Sequence, residues 1–175
     1  LPAETTGPGA GPHGPFDPPE PYRSLYRPQD VPLPLALDGW PSWRARWTEE
    51  EMRRCIAYYW AMAACIDDQV GRIADALERV GIMDNTLLVF VSDHGEMLGD
   101  HNRWGKTYPY AQSVGVPLVV AGPGVRRGLR SDALGSHIDI GATFLDYAGL
   151  EKPKEMESRS LRPLLEARTS KHRDV

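Results

Sequence analysis

The residue types best able to do chemistry fall in one stretch, Ser92-Asp93-His94-Gly95-Glu96-Met97-Leu98-Gly99-Asp100-His101. It follows the apolar run Thr86-Leu87-Leu88-Val89-Phe90-Val91, and in open parallel sheets ligands bind beyond the carboxyl ends of strands. Outside a regular strand, the neighbouring Asp93 carboxylate and His94 imidazole can converge on one cation, while Gly95 and Gly99 let the backbone turn tightly. The same pattern also suits a loop in which Asp93 caps the next turn and His94 is only a polar group. Lys106, after Trp104-Gly105, is a compact point charge suited to a tetrahedral oxyanion, or else a solvated surface lysine. His13 lies in Pro12-His13-Gly14-Pro15-Phe16, a proline-stiffened loop able to hold an acid or hydrogen-bond donor still. A lone loop histidine can equally be incidental.

The elements that must position these residues are legible on either side. Eleven of the sixteen prolines precede Ser42, so that region forms neither a central strand nor a long helix. Residues 1–11 read as a flexible linker, and residues 12–43 as an ordered, irregular loop anchored by Phe16, Tyr22, Tyr26, Trp40 and Trp43. Thr48-Glu49-Glu50-Glu51 has the form of a capping box. Met52, Ile56, Tyr59, Ala63, Ile66, Val70, Ile73, Leu77 and Val80 then recur at spacings of three and four, predicting one long helix that Gly81 stops. Its stripe is expected to pack against a sheet. The run through Val91 and a second, Val116-Pro117-Leu118-Val119-Val120, suit strands buried on both faces, as in parallel sheets. Ser136-His137-Ile138-Asp139 opens another helix, which Gly149 closes. The order of elements is α/β.

Composition narrows the class. With 41% hydrophobic and 25% charged residues, 175 residues fit one globular domain or a large piece of one. A net charge of -4 gives no global basic field for nucleic acid. The longest uncharged apolar run, the twelve residues 55–66, falls short of the roughly 20 needed for a membrane span.

Together, the Ser92–His101 stretch, Trp104-Gly105-Lys106, Pro109-Tyr110 and Val116-Pro117-Leu118 resemble the C-terminal part of the catalytic domain of a sulfatase in the alkaline-phosphatase superfamily. Pro12-His13-Gly14-Pro15-Phe16-Asp17 resembles the family's loop with an active-site histidine, and Ile66-Asp67-Asp68-Gln69-Val70-Gly71 and His137-Ile138-Asp139-Ile140 resemble its structural helices. The resemblance covers residues 12–165. It implies an α/β, alkaline-phosphatase-like sandwich with a mostly parallel central sheet, and hydrolysis of a small-molecule or glycan sulfate ester. By it, Asp93 and His94 bind a divalent metal, calcium in most sulfatases. An imidazole is a soft ligand for calcium, which leaves zinc or manganese open. Lys106 and His13 become the catalytic, substrate-binding contacts to the sulfate ester. Residues 166–175 begin the connection to a further C-terminal subdomain.

The sequence also departs from the family. Ala111 and Gly115 stand where many sulfatases have a glutamate and an arginine, which suggests a missing salt bridge. The family's nucleophile is formylglycine, made from a cysteine in a Cys-x-Pro-x-Arg context. Cys55 and Cys65 lack that context and sit within the long helix, where they read as small buried hydrophobes. Asp67 and Asp68 diverge by about 100° on that helix and fall off its apolar stripe, as surface or helix-packing groups would. Formylglycine and the rest of the metal site are therefore expected outside this chain, in the rest of the sulfatase polypeptide, and the 175 residues alone are expected to be inactive. A phosphoester or phosphonate hydrolase of the same superfamily, and a non-catalytic sulfatase-like module, are the alternatives.

Overall fold

A computed structural model describes residues 13–35 and 47–174. The expected linker at 1–11, Trp40 and Trp43 lie outside the described residues. By backbone proximity the chain forms two units, Leu1–Ala76 with His94–Gly115 and Leu77–Asp93 with Val116–Val175.

In the first unit the long helix starts where the capping box requires. The Thr48 amide and hydroxyl reach the Glu51 carboxylate at 2.7 and 2.9 Å, and the Glu51 amide returns a bond to the Thr48 hydroxyl at 3.2 Å. The resulting helix, α1, spans Glu49–Arg79, about 46 Å at 1.5 Å per residue. After it, the amides of Gly81 and Ile82 bond back to Glu78 and Leu77, with Gly81 at φ +72°. The burial of α1 differs from the expected stripe. Met52, Ile56 and Ala57 form a core with Val31, flanked by Tyr26, Leu33, Trp47, Leu98 and Trp104, whereas Ile73 and Val80 are 54% and 67% exposed. Irregular aromatic segments, not a sheet, cover the first half of the helix. Phe16 meets Tyr59 and Tyr26 meets Trp60 edge-on at 5.6 Å, Trp47 stacks on Trp104 at 5.5 Å, and the Arg53 guanidinium donates to the Val31 carbonyl. Phe16 and Tyr26 of the proline-rich segment thus act as anchors, each adding apolar area and a preferred ring geometry.

In the second unit, β1 (Leu88–Val91) and β2 (Leu118–Ala121) pair in the register Leu88↔Ala121 to Val91↔Leu118. The pair is antiparallel, where two continuous apolar runs suggested parallel neighbours; mostly parallel sheets commonly carry such a pair. The strands are also less covered than full burial predicts. β1 is half-buried, and Val119 on β2 is 60% exposed, because among the described residues this sheet has two strands only. The short helix α2 (Ala111–Val114) belongs to the first unit.

The second unit is organised around one carboxylate. Helix α3 (Ile138–Tyr147) places Asp139 in its first turn, fully buried. Asp139 accepts from the Ser136 amide (3.0 Å), the Arg159 amide (2.9 Å), His172 Nε2 (3.0 Å) and both Nε and Nη2 along one edge of the Arg173 guanidinium, Nε at 2.7 Å. The Ser136 bond is the backward-reaching half of a capping box, with Asp139 in the place of the usual glutamate. Thr143 extends the lacing by donating to the Asp139 carbonyl at 2.7 Å and accepting from the Leu161 amide at 2.8 Å. Beyond it, α4 (Arg162–Leu165) ties Arg162 to Asp146 and Glu166 at 3.1 and 2.7 Å. Burial alone would raise the Asp139 carboxyl; Arg173, the Arg159 amide, His172 and the Ser136 amide outweigh it and hold the group well below the usual carboxylate range.

A carboxyl that binds its proton more weakly folded than unfolded adds stability that is complete above the unfolded value, near 3.9, and fades as pH falls below it. Asp139→Asn should therefore lower the urea midpoint at pH 7, by a loss of about 3 kcal/mol typical of a broken buried ion pair. It should also shrink the wild-type loss of stability between about pH 5 and pH 2. Equal midpoints for wild type and variant at pH 7 would show that the clasp adds nothing.

Candidate active site

The loop that leaves β1 is fixed by close backbone contacts. Ser92, in the second unit, presents its carbonyl to His137 Nε2 at 2.7 Å; Asp93 follows and is exposed. His94 is half-buried and begins the first unit's loop. The Gly95 amide donates to the Ser113 carbonyl at 2.8 Å. The approach is so tight that a Cβ at Gly95 would overlap the Gln112 carbonyl oxygen, so only glycine fits. Next, the Glu96 carboxylate accepts from the Gly105 amide at 2.6 Å and the Leu98 amide at 3.2 Å, and the Met97 amide donates to the Gly105 carbonyl at 3.0 Å. These bonds close residues 96–105 into a loop, with Lys106 leaving it directly after the clamped Gly105.

Further contacts brace the loop within its unit. Asp100 accepts from the Leu35 amide at 2.7 Å and from Gln112 Nε2 at 3.1 Å, and the His101 amide donates to the Leu35 carbonyl at 2.7 Å. The His101 ring stacks on Tyr110 at 4.4 Å. Gly115 donates to the Ala111 carbonyl at 2.8 Å, so these two positions lie one helical turn apart.

The partners of the histidines define their tautomers. A carbonyl oxygen only accepts, so His94 Nδ1, 2.7 Å from the Gly95 carbonyl, carries a proton, and in the neutral ring Nε2 is the accepting nitrogen. His13 repeats the arrangement, with Nδ1 2.8 Å from the Gly14 carbonyl. His13 and Lys106 are both exposed. Of the four residues singled out from the sequence, the first unit contains His13, His94 and Lys106, while Asp93 is the last residue of the second unit's opening segment.

Other candidates resolve differently. Cys55 is buried among apolar groups; that burial, and secondarily Glu96, pushes its thiol up to about 12, which makes it a poor nucleophile. Asp67 and Asp68 are exposed, and Asp68 accepts from the Tyr22 hydroxyl at 2.6 Å, pushing that phenol up to about 12. Glu96, Asp100, Gln112 and His137 received no role from the sequence. The available signal was local: Glu96 and Asp100 each border a glycine turn, where exposed amides need acceptors.

A family model described as "Sulfatase" matches residues 10–150. An arylsulfatase of Clostridium perfringens is 36% identical over 93% of this chain and 37% of its own length. A phosphonate monoester hydrolase from Silicibacter pomeroyi superposes with a TM-score of 0.82 at 34% identity, covering 89% of this chain and 36% of that one. A further structure, BT4656 in complex with its substrate D-glucosamine-2-N,6-O-disulfate, gives a TM-score of 0.66 at 32% identity over 71% of this chain and 25% of that one. The chain thus spans from a quarter to little more than a third of the length of these relatives.

The tight approach at Gly95 has a measurable consequence. Gly95→Ala forces the Gln112 backbone to move and should destabilise the protein by about 1–3 kcal/mol, the usual cost of overpacking. Gly105→Ala, at φ +77° with no atom within 4 Å of its added Cβ, should cost only the left-handed backbone penalty, about 1 kcal/mol. Urea denaturation of the two variants checks the order, and the reverse order would contradict the close approach.

Proposed function

Because the chain belongs to the sulfatase family and has its alkaline-phosphatase-like fold, we propose that it carries the cation-binding and sulfate-contacting loops of a sulfuric ester hydrolase. One observation carries the reading: the Glu96–Gly105 clamp closes a loop that starts beside His94 and ends at Lys106. An acceptor imidazole and an ammonium thus come from the two ends of one braced segment.

Asp93 and His94 would hold a divalent cation. A carboxylate beside a histidine whose acceptor is Nε2 is a donor set that zinc or manganese accepts readily, and calcium accepts through its oxygen. Among the described residues no third His, Cys, Asp or Glu groups with them, so they supply part of a coordination sphere. When bound, the cation supplies Lewis acidity toward the ester oxygens. Lys106 adds a compact positive charge where the tetrahedral group carries its negative oxygens. His13, held through Nδ1 by the Gly14 carbonyl, exchanges protons at Nε2 and in its protonated form donates from there to the leaving oxygen. The nucleophile is formylglycine from another part of the polypeptide, since the buried Cys55 and the helical Cys65 do not fit the role. The substrate is a small-molecule or glycan sulfate ester, and the likeness to a structure holding a disulfated glucosamine favours the glycan.

Hydrolysis of a phosphonate monoester is the second reading, favoured by the 0.82 TM-score with such an enzyme. Phosphoryl and sulfuryl groups share a tetrahedral shape, so the residues above serve either.

In the complete polypeptide, Lys106→Ala and His13→Ala should each lower kcat on an aryl sulfate by roughly 10²-fold or more. Asp93→Ala should lower the metal bound per mole of protein, measured by elemental analysis. Near wild-type turnover in both activity variants, with unchanged metal content in the third, would remove the assignment. A higher kcat/KM on a phosphonate monoester than on the aryl sulfate would favour the second reading.

A further inference from the structure

The second unit holds a concentration of charge that this function does not use. Between β2 and α3 the chain reads Val125-Arg126-Arg127-Gly128-Leu129-Arg130-Ser131, and after α4 it reads Arg168-Thr169-Ser170-Lys171. The Arg126 amide donates to the Leu165 carbonyl at 2.8 Å, which pins the two segments together. A cleft of about 540 Å³ lies between them, with Arg130 and Ser131 on one wall, Arg168, Thr169 and Ser170 on the other, and Leu164 within it. Its walls are shaped by their own hydroxyls. Ser131 Oγ accepts from the Ala133 amide at 3.1 Å, and Thr169 Oγ1 accepts from the Lys171 amide at 3.1 Å.

Basic groups outnumber acidic ones here. The acids beside the cleft include Glu166, shared by Arg162 at 2.7 Å and Arg168 at 2.8 Å, and the exposed Asp132 directly after Ser131. Arg126, Arg127 and Arg130 are exposed, and none of them forms a salt bridge among the described residues. A chain of net charge -4 therefore gathers a local cationic cleft. Guanidinium forks match the paired oxygens of sulfate and carboxylate groups. Among the described residues no aromatic side chain lines the cleft, so nucleobases would find no surface there to stack on.

We propose that this cleft is an accessory subsite for the sulfate or carboxylate groups of an extended acidic saccharide. The choice of ligand rests on the sulfuric-ester reading; the cleft and its charge do not.

The test uses the complete polypeptide, wild type against Arg130→Gln and Arg130→Gln/Arg168→Gln, with heparin oligosaccharides as the probe. The double variant should bind heparin about tenfold more weakly, the scale of losing charge-assisted hydrogen bonds, and elute from immobilised heparin at lower salt. KM for a sulfated oligosaccharide should rise by a similar factor while kcat/KM on a small aryl sulfate stays at the wild-type value. Unchanged heparin affinity, or equal losses on the large and small substrates, would overturn the subsite. Duplex DNA displacing heparin with equal affinity would overturn its saccharide assignment. Should the wild type cleave no sulfate ester, the functional reading fails, and heparin binding still decides the cleft.

Discussion

The close approach of Gly95 to the Gln112–Ser113 backbone is the constraint on which the candidate site depends. It presses the segment after β1 against the turn at 110–115, leaving room for hydrogen alone at that Cα. Once Gly95 is seated, Glu96 lies within reach of the Gly105 amide, and the intervening residues form a loop whose two ends are the segments of interest. A carboxylate that accepts two backbone amides serves here as a staple. It satisfies donors that a tight loop would otherwise leave unpaired. Asp100 repeats the device by joining Leu35 and Gln112 to the same loop.

The second unit uses a buried carboxylate differently. Asp139 accepts two backbone amides, a histidine and two donors along one edge of a guanidinium, so nearly every lone pair on it is engaged. Such a group tolerates complete burial because its charge is both paired and hydrogen-bonded. The consequence is architectural. The segment after α4 is held against the first turn of α3, and from that end of α3 His137 reaches the Ser92 carbonyl beside Asp93.

Burial explains where expectation and structure part. The stripe on α1 runs to Val80 by spacing, yet only its first half meets Val31 and the aromatic residues of the irregular segments. Spacing states which residues share a face; it does not state how long the opposing surface is. In the same way, two apolar runs identify two strands, but strand direction depends on how the intervening chain returns, and here β1 and β2 pair antiparallel. Ile73, Val80 and Val119 remain exposed in consequence.

The local chemistry of the chain was legible from residue order alone. Thr48 and Glu51 announced the helix start, Gly81 its end, and the aromatics among the prolines the anchors of the irregular segment, because capping, left-handed φ and ring burial act over a few residues. Asp93, His94, Lys106 and His13 stood out by type only as loop residues with a bland reading beside the chemical one, and the roles given them came from the family resemblance. Only the tertiary structure decided that Glu96 clamps Gly105, that Gly95 abuts Gln112 and that Arg173 closes on Asp139 thirty-four residues away. Those contacts join segments distant in sequence, and a hydrogen bond across such a gap imposes no periodicity on the residues around it.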